Sequence, residues 1–136
     1  MTASHYVKMM LDMIFGIDNF KNEIVWCYDG PSSPGMTVFA RKHDIILRYS
    51  KTKLYTWNVD DVRDEYSETS KSAFKSASKL GGERSKYINL GKYPTDWWQI
   101  PSLKNTKERL GYPTQKPEKL LERIILASSN PKEKEK

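Results

Sequence analysis

The chain has 136 residues, the length of one ordinary domain, and its 38% hydrophobic content and mean hydropathy of −0.73 allow only a modest core. Its 23 Lys and Arg against 17 Asp and Glu give a formal charge of +6 and a pI near 9.3, a surplus that suits an anionic partner, nucleic acid first. One cysteine, Cys27, and two distant histidines, His5 and His43, exclude a disulfide framework and a local metal cluster.

The opening MTASHYVKMMLDMIFG has no basic stretch leading to a cleavage site, so it does not read as a signal peptide. No apolar run approaches the roughly 20 residues needed to cross a bilayer. A soluble protein of the reducing cytoplasm, without a membrane partner, is expected.

Residues 4–15 carry helical periodicity: Ser4 suits the N-cap, Val7, Met10, Leu11 and Ile14 share a face, and Gly16 suits the C-terminal cap. Tyr6, Met9 and Met13 spread apolar character round the other side, so this helix expects cover on more than one face. His5 beside the helix start reads as a capping or packing residue. EIVWCY at residues 23–28 is β-branched and aromatic and predicts a strand, with Cys27 as a small core residue. DGPSSPG follows as a loop. HDIILRYS at residues 43–50 predicts a second strand and LYTWNV at residues 54–59 a third. His43 and Asp44 are strand neighbours and point to opposite faces, which argues against a base–carboxylate pair.

From residue 61 to 92 the character changes to Ser, Lys and Gly with few apolar residues. Between Lys71 and Lys92 six cations face one acid, Glu83. A weakly structured basic insert is expected, with Lys71, Lys75, Lys79, Arg84 and Lys86 as its DNA-binding candidates. TDWWQIP at residues 95–101 has two readings: tryptophans stacking on bases, or one ring in the core and one at its rim. The last helix follows Pro113 and Pro117, with Pro117 at its first position, Glu118 facing the positive dipole end, and Leu120, Leu121, Ile124 and Ile125 on one stripe. Asn130-Pro131 stops it, and PKEKEK is a solvated tail. Spacing alone yields no catalytic constellation and no metal site.

Three stretches together, TASHYVKMMLDMIFGIDNFKNEIVW, KHDIILRYSK and TDWWQIPSLKNTKERLGYPTQKPEKLLERIILASSN, resemble the amino-methylating DNA methyltransferases, the adenine-N6 or cytosine-N4 class of restriction–modification systems. The resemblance implies an α/β architecture, a partial methyltransferase (Rossmann-like) fold with a basic target-recognition insert. It implies S-adenosylmethionine as cofactor, with the PTQKP turn and helix as one wall of its pocket. On that analogy Thr114, Gln115, Lys116 and Pro117 are the cofactor-side residues. The implied organisation is a partial core at residues 1–60, the insert at 61–94, and the PTQKP segment with its helix at 95–136.

Two departures matter. The family's Asp/Asn-Pro-Pro-aromatic motif, which holds the target amino group, is absent, since the chain has no Pro-Pro pair. The family's Phe-x-Gly-x-Gly-like cofactor loop is absent too. The chain therefore reads as the middle of a methyltransferase, expected to be inactive alone for want of catalytic residues. Alternatives are one half of a split enzyme completed by a partner chain, a stand-alone DNA-binding module, or a gene remnant; a homodimer burying its apolar helices would count against the split enzyme.

Overall fold

The computed structural model describes residues 4–30, 37, 39–79, 88–104 and 106–130. Two compact units result, residues 1–55 with 96–125, and residues 56–95 with 126–136; each is taken by itself. Among the described residues, no helix is long and apolar enough to cross a membrane.

In the first unit, α1 (Ser4–Phe15) ends where the sequence says it should. Gly16 turns to φ 83 and its N–H donates to the Asp12 carbonyl at 2.9 Å. A short 3-10 turn, Ile17–Asn19, feeds β1 (Phe20–Cys27), which starts before the expected residue 23 because Phe20 already pairs with Tyr49 across a register shift. β1 is central: it pairs antiparallel with β2 (His43–Tyr49) and parallel with β3 (Trp97–Gln99), in the order β2-β1-β3. The Val25 N–H reaches the Asp96 carbonyl at 2.8 Å, and the Ile100 N–H reaches that of Cys27 at 3.1 Å, continuing the parallel ladder beyond β3.

Strand periodicity then decides the core. Ile24 and Trp26 turn to one face and bury against Trp98, Ile100 and Leu120, the last from α3 (Glu118–Ser128), with Tyr28, Ile46 and Ile124 packed beside them. Of the adjacent tryptophans, Trp98 is 9% exposed and Trp97 54%, the core-and-rim arrangement. Trp26 satisfies its indole N–H on the Ile100 carbonyl at 2.8 Å, so burial leaves no orphan donor. On the opposite face the register sets Val25 against Ile45 and Trp97.

The second unit contains the sharpest departures from expectation. Residues 61–92 are not uniformly loose, for α2 (Glu68–Lys79) forms within them. Ser67 caps it, its hydroxyl accepting from the Ser70 N–H at 3.2 Å and its carbonyl from the Lys71 N–H at 2.9 Å. Lys71 pairs with Glu68 at 2.8 Å, and Phe74 meets Tyr66 edge-on with centroids 4.9 Å apart. Asp64 and Lys92 exchange backbone bonds of 3.0 and 2.8 Å, and a Cβ on the intervening Gly91 would come within 3.0 Å of the Asp64 carbonyl. Residues 54–59 form no strand. Their last member opens a 3-10 turn, Val59–Val62. Asn58 spends its backbone N–H on the Ala127 carbonyl and its side chain on the carbonyls of Leu126 and Ser129, at 3.0, 3.1 and 3.0 Å, capping the end of α3 in place of a sheet ladder.

One electrostatic knot ties α1 to the sheet. Lys8 Nζ donates to both Asp12 oxygens at 2.7 Å, and the Tyr49 hydroxyl donates to Asp12 Oδ1 at 2.6 Å. The Lys8 ammonium also lies 4.0 Å from the Phe20 ring centroid. The bond from Lys8, then that from Tyr49, hold the Asp12 carboxyl below its ordinary value, and Asp12 in turn raises Lys8. Partial burial, then the Asp12 bond, raise Tyr49. A depressed carboxyl contributes stability above its unfolded pKa, near 4, that is lost as pH falls through the folded value. The raised Lys8 and Tyr49 contribute below about pH 10 and lose their part as pH rises. Asp12→Asn is therefore expected to lower the melting temperature at pH 7, with the gap from the parent closing as melts are taken down to pH 3. A gap unchanged across that range would contradict the knot.

Candidate functional site

The PTQKP turn is built by side chains that reach backwards along the chain. Gln115 Nε2 donates to the Glu108 carbonyl at 2.8 Å, and Gln115 Oε1 accepts from the Leu110 N–H at 2.9 Å. Its own N–H closes a turn on the Tyr112 carbonyl at 3.2 Å. Glu108 carries a carboxylate to the start of α3, where Oε1 accepts from the Glu118 N–H at 2.5 Å, a charged cap at the positive end of the helix dipole. Pro117 is buried and serves as the cap residue itself, one place before the helix begins at Glu118, where the sequence had put it at the first helical position. Its carbonyl accepts from the N–H groups of Leu120 and Leu121 at 3.0 and 3.2 Å. Gly111 adopts φ 85 with open space around it, so backbone conformation and not crowding requires glycine there.

Lys116 is held over the sheet. Its ammonium lies 5.2 Å from the Trp26 ring centroid and 3.7 Å from Asp44 Oδ2. Asp44 also pairs with Arg41 at 3.2 Å and accepts a long bond from the Tyr28 hydroxyl at 3.5 Å. Burial first, and the Asp44 charge next, raise the Tyr28 phenol above its ordinary value. Thr114 is exposed and projects from the same turn. The four residues of the turn thus differ: Gln115 and Pro117 are engaged internally, while Thr114 and Lys116 present polar groups to solvent.

Sequence reasoning left Glu108 and Asp44 without these roles. For Asp44 only strand parity was legible; the register that sets it directly across from Trp26 is seen in the structure. For Glu108 there was no signal, since a carboxylate ten residues before the N–H it caps has no local pattern.

Among the insert cations, Lys71 and Lys75 stand four apart on α2, on one side of the helix. Lys71 is tied to Glu68, whose carboxyl it lowers and which raises it in return. Lys75 is exposed. The Lys79 side chain, Arg84, Lys86 and the Gly81-Gly82 pair lie outside the described residues.

A family model described as DNA methylase, of the N6/N4 amino-methylating type, matches residues 1–134. The chain belongs to this family, as the three sequence stretches implied. It is 35% identical over 113 residues to the DNA adenine methyltransferase YhdJ of Escherichia coli (strain K12), covering 82% of this chain and 37% of that protein. It is 32% identical over 114 residues to the type II methyltransferase M.BglII of Bacillus subtilis, covering 82% and 30%. It is 33% identical over 122 residues to the type II methyltransferase M1.MboII of Moraxella bovis, covering 82% and 46%. The chain therefore spans less than half the length of each of these relatives.

Two partly exposed hydrogen bonds at about 1 kcal/mol each set the scale for the turn. Gln115→Ala is expected to lower stability by about 1–2 kcal/mol in urea unfolding. Thr114→Val, at an exposed position with no part in the turn's bonding, should stay within about 0.5 kcal/mol of the parent. Equal effects of the two would contradict the division of labour within the turn.

Proposed function

We propose that this chain is the recognition and cofactor-flanking portion of an S-adenosylmethionine-dependent DNA methyltransferase acting on adenine N6 or cytosine N4, within a restriction–modification system of the cytoplasm. Family membership across residues 1–134 carries the reading. The fixed turn at residues 114–117 supports its cofactor part. S-adenosylmethionine, when bound, supplies the methyl group; this chain's contribution is one wall. Its carboxylate and ribose hydroxyls call for exposed polar partners, and the Thr114 hydroxyl and Lys116 ammonium fit that need. Gln115 and Pro117 hold the turn in shape, and Asp44 with Trp26 orients Lys116. The three strands are then one part of a larger Rossmann-like sheet.

DNA is the proposed partner, engaged through the insert. Lys71 and Lys75 supply positive charge from α2, with Lys79, Arg84 and Lys86 completing the set. The polypeptide alone does not transfer methyl groups, because nothing in its 136 residues supplies the Pro-Pro motif that holds the target amino group.

A second reading, one half of a split enzyme completed by a partner chain, draws on the apolar surface of α1 and its turn. Met13 is 87% exposed and Ile17 70%. Co-expression with a chain bearing the missing motifs would restore methylation under this reading; a stable homodimer burying α1 would argue against it.

The test of the main reading is a titration of labelled duplex DNA at low and moderate salt, run beside transfer of labelled methyl from S-adenosylmethionine. Binding that weakens steeply with salt and methyl incorporation at background are expected. Methyl incorporation above background would overturn the inactivity of the isolated chain. Absence of binding at both salts would overturn the DNA role.

A further inference from the structure

Three groups reach the Asp44 carboxylate from separate stretches of the first unit: Arg41 before β2, Tyr28 after β1 and Lys116 before α3. They divide unequally between its two oxygens. Oδ1 accepts from the Arg41 guanidinium at 3.2 Å and from the Tyr28 hydroxyl at 3.5 Å. Oδ2 faces the Lys116 ammonium at 3.7 Å, beyond hydrogen-bond reach. Arg41 is anchored a second time, its Nε donating to the His43 carbonyl at 3.3 Å. Lys116 has a second hold as well, over the Trp26 ring at 5.2 Å from its centroid.

This asymmetry makes one contact of the three expendable. If Lys116 swings away, Asp44 keeps a guanidinium and a hydroxyl on its other oxygen, so no charge is stranded. The Lys116 and Asp44 side chains are 49% and 34% exposed, and pairs this open to water are weakly held. An ammonium carries three donors on a flexible stem. A ligand carboxylate meeting it at about 2.8 Å, the ordinary charge-assisted length, makes the closer bond.

We propose that Asp44 is a built-in rival of the cofactor carboxylate: it holds the Lys116 ammonium in the free chain and yields it to S-adenosylmethionine. This rests on the reading of residues 114–117 as a cofactor wall. Trp26 keeps the ammonium over the sheet in both arrangements, so the exchange changes its anion and not its place. The rival lowers affinity for a ligand that bears a carboxylate and leaves a nucleoside thioether without one unaffected.

The experiment titrates the whole chain with S-adenosylmethionine and, separately, with methylthioadenosine, which shares the nucleoside and the sulfur but lacks the carboxylate. Asp44→Asn keeps an amide oxygen beside Lys116 while removing the charge. It is expected to tighten S-adenosylmethionine binding about two- to fivefold, the span of an exposed ion pair, with methylthioadenosine unchanged. In a Lys116→Gln background the same substitution should gain nothing. The sign is diagnostic. S-adenosylmethionine, with its sulfonium and ammonium groups, is a cation overall, so simple loss of a nearby negative charge would weaken it. Weaker or unchanged S-adenosylmethionine binding in Asp44→Asn, while Lys116→Gln lowers the parent's affinity, would overturn the rival and leave the cofactor wall standing. A parent that binds neither ligand, or a Lys116→Gln chain that binds S-adenosylmethionine as well as the parent does, would overturn both.

Discussion

Trp26 is the constraint on which the described first unit depends. It occupies the middle strand of three, pairs in register with Asp44 on one side and Trp98 on the other, and donates its indole N–H to Ile100. At 4% exposure it joins both strand partners and α3 into one cluster. Removing a buried aromatic of this kind costs about 3–5 kcal/mol. The Lys116–Asp44 pair above it, with side chains 49% and 34% exposed, belongs to a class worth roughly 0–1 kcal/mol. The core therefore sets stability, and the ion pair sets where the Lys116 ammonium points.

That ordering explains how the turn is positioned. Leu120 packs into the Trp26 cluster and fixes the start of α3, while the Glu108 carboxylate and the Gln115 amide brace the preceding chain. Side chains inside the turn are consumed in making it, which leaves Thr114 and Lys116 as the groups able to act on something else. The proposed cofactor wall is thus a consequence of helix capping joined to sheet burial.

The sequence was most legible where a single period governs. α1 and α3 followed from apolar spacing with Gly16 and Pro117 as punctuation, and β2 from its β-branched run. The core-and-rim split of Trp97 and Trp98 was one of two readings open in the sequence; the short strand β3, which the sequence did not announce, decides it by alternation. Long-range bonding was less legible. β1 begins at Phe20 because of a pairing across the sheet with Tyr49. Residues 54–59 have strand composition, yet Asn58 is taken by the end of α3, 68 or more residues away in the chain. α2 was missed because Ser and Lys dominate it; its signals were the Ser67 cap, Glu68 in the first turn and the Tyr66–Phe74 contact. The family was legible from three separated stretches, and the match across residues 1–134 bears it out. The role of Glu108 emerged only from geometry, and that of Asp44 from the register that sets it across from Trp26.

The apolar surface of α1 contrasts with the Trp26 core, since none of its residues is buried. Its attachment runs through Lys8, Asp12, Phe15 and Tyr49. Local stability should follow this gradient, and amide hydrogen exchange of the whole chain measures it most directly. Slowest exchange is predicted for Val25, Trp26 and Ile100, with Leu120 and Leu121 protected beside them and α1 opening well before these. Equal protection of α1 and β1, or rapid exchange at Val25 and Ile100, would contradict a fold organised on the Trp26 strand.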